Sequence, residues 1–242
     1  MRKPIVFAAA IVLIFSLGIF IVGNRASSVG SNSLESQSKE RERLLGAVIP
    51  LGGYNWRVLD VQDGKALIIT ENIVEQRSYS VKLTQLTWET CTLRDYLNGE
   101  FLQKFTAEEQ GRITETRVSN AVNLWYGTKG GNDTTDKVFL LSLEEVDKYF
   151  GDSGDYQEKR RKEYNNHNRK WVEADNGYGF SNANDGNRIA KYNDGASFWW
   201  LRSPGHDSFT AAHVDVDGSV YVVDGFPVYI DGGVRPALWL NL

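Results

Sequence analysis

The chain has little of what most catalytic or cross-linked frameworks require. It holds one cysteine, three histidines, five prolines and one methionine in 242 residues. A single cysteine excludes an internal disulfide framework and a multi-cysteine zinc site. The histidines do not form a His-Glu-x-x-His motif, and no Gly-x-Ser-x-Gly elbow occurs. A basic excess is also missing: 27 basic residues face 31 acidic ones, a net charge of −4. That balance argues against a dedicated nucleic-acid binder. No repeat recurs at a fixed period. What is present is an ordinary folding composition, 41% apolar, 12% aromatic and 24% charged.

The composition changes along the chain. Arg2 and Lys3 precede an uncharged apolar run from Ile5 to Val22. Its length matches the ~30 Å hydrocarbon core at ~1.5 Å rise per residue, so residues 1–23 are expected to be a transmembrane anchor. A cleaved signal peptide is the competing reading, but the run is long for one and Asn24-Arg25-Ala26 is a poor cleavage site. Two basic residues before the run and Arg25 after it favour an N-terminus inside and a C-terminal bulk outside the cell membrane. Residues 24–43 are Ser-rich and then charged, a polar stalk with helical character near its end. Six of the basic and three of the acidic residues precede Leu44, which leaves 21 and 28, a net −7, on the remaining 199. Residues 44–242 are expected to form one extracytoplasmic domain.

Within that domain, Trp56 to Val61, Asp63-Gly64 and Lys65 to Thr70 predict a hairpin with a type I′ turn. Leu93, Tyr96, Leu97, Phe101 and Phe105 recur at helical spacing, with Asn98-Gly99 expected to split two short helices. Thr106-Ala-Glu-Glu109 and Ser142-Leu-Glu-Glu145 are capping-box patterns that each open a helix. Val138 to Leu141 and Phe198 to Arg202 read as buried strands. His213 to Val223 reads as a second Asp-Gly hairpin, through Asp217-Gly218, and Val234 to Leu240 as one closing strand. From Gly151 to Gly195 the chain is polar and lacks a period, the mark of a functional or mobile loop. Strands at both ends enclosing helices and long loops predict an α+β fold of mixed and antiparallel strands, short helices and irregular loops.

Several motifs carry a resemblance. They are Trp56-Arg-Val-Leu, Trp88-Glu-Thr-Cys-Thr-Leu-Arg-Asp-Tyr-Leu-Asn, Trp125-Tyr-Gly-Thr, Asp136-Lys-Val-Phe-Leu-Leu-Ser, Trp199-Trp-Leu-Arg-Ser-Pro-Gly and Gly233-Val-Arg-Pro-Ala-Leu-Trp-Leu. Together, from Leu44 to Leu242, they resemble a family of unknown function common in Gram-positive bacteria. The closing pattern is also similar to C-type-lectin-like folds, including formylglycine-generating enzymes and the variable proteins of diversity-generating retroelements. That likeness implies paired terminal strands and a ligand face of irregular loops. Formylglycine-generating enzymes use cysteines late in the domain. Cys91 is early, so that activity is not implied.

No complete catalytic set emerges. Cys91 has no base near it in sequence and reads as a small buried residue. His206-Asp207, with Ser203 or Ser208, is a weak acid/base arrangement. His167 and His213 add no motif. Loop carboxylates are numerous (Asp133, Asp136, Asp152, Asp155, Asp175, Asp185 and Asp194). Asp133, Asp136 and Asp185 are the candidate calcium ligands, although Asn, Asp and Gly also simply make turns. The candidate ligand-binding residues are Trp200, Arg202, His206, Asp207, Tyr221, Tyr229 and Arg235. Arg202 and Arg235 can instead tie loops to a sheet through carbonyls. The leading expectation is a membrane-anchored, noncatalytic recognition domain for a glycan, a protein or a small molecule. A hydrolase using two loop carboxylates and a structural subunit of a membrane complex are the alternatives.

Overall fold

A computed structural model describes residues 26–82, 86–123, 126–151, 179–180 and 184–242. The expected anchor, residues 1–23, lies outside them, as do Trp125, His167, Asp152, Asp155 and Asp175. By internal contacts the chain divides into Met1–Ser36 and Gln37–Leu242. Helix α1 spans Ala26–Leu44, longer than the helical end expected for the stalk. Among the described residues, no helix is long and apolar enough to cross a membrane.

The second unit mixes antiparallel sheets with a few short helices. Strand β1 (Val48–Leu51) pairs with β2 (Tyr54–Gln62), and β2 with β3 (Lys65–Thr70). The β2–β3 turn is as expected: Asp63 and Gly64 sit at φ 49° and 71°, the left-handed pair of a type I′ turn. Strand β4 (Glu75–Ser78) follows, and then helix α2 (Thr92–Tyr96). The expected break at Asn98-Gly99 does not occur. The backbone continues through a wide turn, Leu97–Phe101, and a tight one, Leu102–Lys104. Asn98 is held there by its own side chain, which donates to Arg94 and Val138 carbonyls and accepts from Lys137 and Val138 N–H. Bonds outside the helix thus replace what a regular ladder would supply.

Both capping boxes form, at Thr106 and at Ser142. They open α3 (Ala107–Arg112) and α4 (Leu143–Phe150), the latter ending at Gly151 with φ 79°. Between these helices lie β5 (Ile113–Thr114), β6 (Thr116–Val118) and β7 (Thr134–Asp136). Val138 to Leu141 is fully buried, but it is not the expected strand. It makes one bridge, Phe139 to Ala237, and its other carbonyls accept side-chain and loop donors from Asn98 and Arg202.

After β8 (Gly179–Phe180) and α5 (Asp185–Arg188) come the hairpin β9 (Ala190–Tyr192) and β10 (Gly195–Ser197). Next are β11 (Trp199–Pro204), β12 (Thr210–Val214) and β13 (Val220–Pro227). The β12–β13 hairpin is present, but its connection runs from Asp215 to Ser219 and only Gly218 takes positive φ. The expected single closing strand is two: β14 (Asp231–Val234) and β15 (Ala237–Asn241). Pro236 has no N–H to offer a ladder, and the chain changes sheet there. Of the described sheets, the two large ones run β1-β2-β3-β15-β5 and β4-β14-β11-β12-β13-β8, and β6–β7 and β9–β10 are separate two-stranded pairs. Only β11–β14 is a parallel pair among the described strands. Trp56, Leu67 to Ile69, Leu93, Phe101, Leu140, Trp199, Trp200 and Leu238 belong to one apolar core joining both sheets and α2.

Candidate functional site

Trp88 is buried, and its indole donates to Asp136 Oδ2 at 2.9 Å. Arg94 Nε reaches Asp136 Oδ1 at 2.7 Å, and the Thr134 hydroxyl reaches Oδ2 at 2.7 Å. This buried carboxylate therefore fixes the turn of Trp88–Thr90 against β7. The Glu89 carboxylate accepts from Asn132, from its backbone N–H at 3.3 Å and its amide at 3.0 Å. The intervening Gly130-Gly131 is dictated by close approach. A Cβ at Gly130 would lie 2.2 Å from the Asn120 carbonyl oxygen, and one at Gly131 would lie 2.7 Å from Thr87 Cβ. A third loop joins through Asn123, whose amide donates to the Pro204 and Gly205 carbonyls at 2.9 and 3.1 Å. Thr128 Oγ1 donates to the His206 carbonyl at 2.6 Å, and Leu86 N–H to that of Ser208 at 3.0 Å.

These bonds gather three loops around an open groove of about 730 Å³. Hydroxyls of Thr87, Thr90, Thr128 and Ser208, amides of Asn120 and Asn132, and the charged Glu89 and Lys129 line it, with Val122 and Leu86. Asn120 is a buried member of this lining. It is 9% exposed, and its amide nitrogen donates to the Asn132 carbonyl at 2.7 Å. Its Oδ1 is buried and accepts no hydrogen bond from the described residues. Such an orphan costs ~1–3 kcal/mol unless something else satisfies it.

The chain matches the model of a family described as a domain of unknown function, DUF6273, over residues 63–242. It belongs to the DUF6273 family. No curated protein and no solved structure matches it. Every residue named in the groove falls inside the matched range of the DUF6273 domain. The match begins in the turn between β2 and β3, although β2 pairs with β3 from Trp56 to Gln62. The folded DUF6273 unit is thus larger than the matched stretch by at least that strand.

The sequence-selected residues scatter. Trp200, Arg202 and Arg235 are 0%, 4% and 1% exposed and do not face a ligand surface. Both faces of β11 are covered, so neither adjacent tryptophan is free. Trp199 packs on Phe150, whereas Trp200 packs on Tyr79 and Phe198 and donates to the Arg77 carbonyl. Arg202 is spent on Glu145 and on the carbonyls of Leu140 and Ser119. Arg235 donates to the carbonyls of Thr70, Arg188 and Glu71 and lies over the Trp199 ring. Burial pushes its guanidinium below the ordinary arginine value.

His206 and Asp207 precede Ser208 in the chain but do not line the groove. They pair with each other, Nε2 to Oδ2 at 3.2 Å, and Thr210 Oγ1 bonds to both side chains. Tyr229 is exposed at 59%, and Tyr221 stacks on His213 with ring centroids 5.0 Å apart. The three calcium candidates are not brought together. Asp136 is the buried anchor described above. Asp133 accepts from Asn120 N–H and Arg117, which hold its carboxyl below the usual carboxylate range. Asp185 pairs with Arg188 at α5. Among the described residues, no three His, Cys, Asp or Glu side chains form a metal-binding group. Asp194, with Asn193, makes the β9–β10 turn at positive φ. Cys91 is buried, and desolvation pushes its thiol up to about 12. Glu89, Asn120, Lys129 and the Thr87 and Thr90 hydroxyls escaped sequence reading. The signals for them were the Trp88-Glu-Thr motif and the Gly130-Gly131 pair.

Proposed function

We propose that this DUF6273 domain is a noncatalytic recognition module, and that the groove between Thr87–Thr90, Asn120 and Val122, Thr128–Asn132 and Ser208 binds a polyhydroxylic ligand such as a cell-surface glycan. The lining carries this reading: four hydroxyl-bearing and two amide side chains, drawn from three loops, line one open groove. Sugars offer dense hydroxyl donors, and short fixed side chains meet them at little entropic cost. Glu89 is the one carboxylate among the described lining residues, whereas glycoside hydrolysis takes two. That favours binding over turnover.

The reading extends to the whole chain. Residues 1–23 anchor the protein in the cell membrane, residues 24–43 hold the domain away from it, and the domain lies outside. A C-type-lectin-like fold is supported by the last strand, β15, pairing with the early strand β3, and by loops rather than strands lining the groove. Calcium is not required by this reading.

Thermal melts of the full chain with a panel of cell-wall glycans test it. A ligand at ~100 times its Kd adds ~2.7 kcal/mol, a shift of several degrees. One sugar class should raise the melting temperature, and Ser208→Arg, which fills the groove, should abolish the shift without lowering the unliganded value. No shift with any glycan, or a shift untouched by Ser208→Arg, would sink the proposal. Sugar release by the wild type would replace it with the hydrolase alternative.

A further inference from the structure

A second groove lies along the edge of the six-stranded sheet, and nothing in the recognition reading uses it. Strand β4 is the outermost strand and has one partner, β14, in the register Glu75–Val234 to Ser78–Asp231. In an antiparallel pair, alternate residues turn their N–H and C=O groups towards the partner and away from it. Every second residue of β4 therefore turns these groups off the sheet. A groove of about 660 Å³ runs along this edge, lined by all four β4 residues on one side and by α2 residues on the other. The outer edge of a sheet is a template for another strand unless something covers it.

The walls have a definite chemistry. Val81, 72% exposed, supplies the open apolar surface, whereas Leu93 and Tyr96, 1% and 8% exposed, form the floor beneath it. Tyr96 is fixed rather than free. Its hydroxyl bonds Glu75 and accepts from Lys104 Nζ at 3.0 Å, and the Arg77 guanidinium lies 3.5 Å over its ring. Arg77 Nε also reaches Glu75 Oε2 at 3.0 Å. Glu75, Arg77 and Lys104 thus satisfy one another. Asp95, Glu100 and Asp231 are different: all three are exposed, and none has an ion-pair partner among the described residues.

We infer that β4 accepts an added strand, and that the occupant is an extended segment of a partner protein with alternating apolar and basic side chains. The open edge selects an extended backbone, which a bare cluster of carboxylates would not. Alternation follows from the strand itself, because successive side chains point to opposite faces. Among the lining residues, the exposed Val81 suits the segment's apolar positions, and the exposed Asp95, Glu100 and Asp231 suit its basic ones. A second copy of this chain is a poor occupant, since pairing two β4 edges would set these carboxylates against their equivalents.

The test is fluorescence anisotropy of the full chain with a labelled decapeptide of alternating valine and lysine. Saturable binding is expected, weakened at least ~10-fold by methylating the peptide's alternate backbone nitrogens and as strongly by replacing lysine with glutamate. Asp95→Lys with Glu100→Lys should weaken it to a similar degree while leaving the melting temperature unchanged. Should that double variant fold poorly, Asp231→Lys carries the same test. Bound peptide should also slow hydrogen exchange at residues 75–78. Absence of saturable binding overturns the inference. So does binding that survives backbone methylation, which would be charge attraction alone. Concentration-dependent dimerisation that blocks the peptide would assign the edge to a second copy and overturn it too. Glycan binding in the other groove is read separately, so either result stands alone.

Discussion

His213 shows most plainly how one side chain is governed by its surroundings. It is 2% exposed, stacked on Phe226 with ring centroids 4.2 Å apart and on Tyr221 at 5.0 Å, with Phe198 and Trp200 edge-on. Neither ring nitrogen has a hydrogen-bond partner among the described residues. Burial in this aromatic nest lowers its pKa from 6.5 to about 3. The folded pKa lies below the unfolded one, so between these values the unfolded chain binds a proton that the native state refuses. Stability is therefore complete above pH 6.5 and falls as pH drops towards 3. The limiting slope is ~1.4 kcal/mol per pH unit from this residue. Urea melts from pH 7.5 to 4.5 should show that decline, and His213→Phe should flatten it. Equal slopes in both proteins would refute the assignment.

At the scale of elements, β14 illustrates why a second glycine precedes the Gly233-Val-Arg motif. Gly232 lies beneath two rings: a Cβ there would be 2.4 Å from Phe198 Cε2 and 2.5 Å from Trp200 Nε1. The absence of a side chain lets the Trp200 indole cross β14 and reach the Arg77 carbonyl on β4 at 2.9 Å. One glycine thereby couples three neighbouring strands. Gly232→Ala should cost ~1–3 kcal/mol through overpacking, read as a lowered urea midpoint with an unchanged slope. A midpoint within error of wild type would mean that the rings shift freely. The capping boxes are the contrasting case. Glu145 closes the Ser142 box at 2.9 Å and also binds Arg202, so a local helix signal doubles as a tertiary tie.

For the whole molecule, the decisive connection is the last one. β15 sits between β3 and β5, and Ala237, Leu238 and Leu240 are fully buried. Phe139 and Ala237 also exchange backbone bonds at 2.9 and 2.7 Å, which carries the Val138 to Leu141 segment into the core. A chain ending at Pro236 would expose β3, β5 and that segment together. It should lose its cooperative thermal transition and its near-ultraviolet circular dichroism. A truncated chain that still melts cooperatively would show that the five-stranded sheet closes without its C-terminal strand.

The sequence by itself determined the local features. The Asp63-Gly64 turn, both capping boxes, the strand at Trp199 to Arg202 and the α+β composition depend on residues close together in the chain, whose preferences are short-range. Tertiary structure decided the rest. It ran the helical backbone through Asn98-Gly99, because Asn98 finds its bonds on the Lys137–Val138 backbone. It divided the closing strand at Arg235-Pro236 between two sheets. It buried Trp200 and Arg202 because both sides of β11 are covered, and Arg235 because its guanidinium donates to the Thr70, Glu71 and Arg188 carbonyls, although such aromatic and guanidinium groups suit a ligand as well as a core. It also assembled the groove from Glu89, Asn120 and Ser208. Such a site is set by where loops meet, and the spacing of residues along the chain does not encode that meeting.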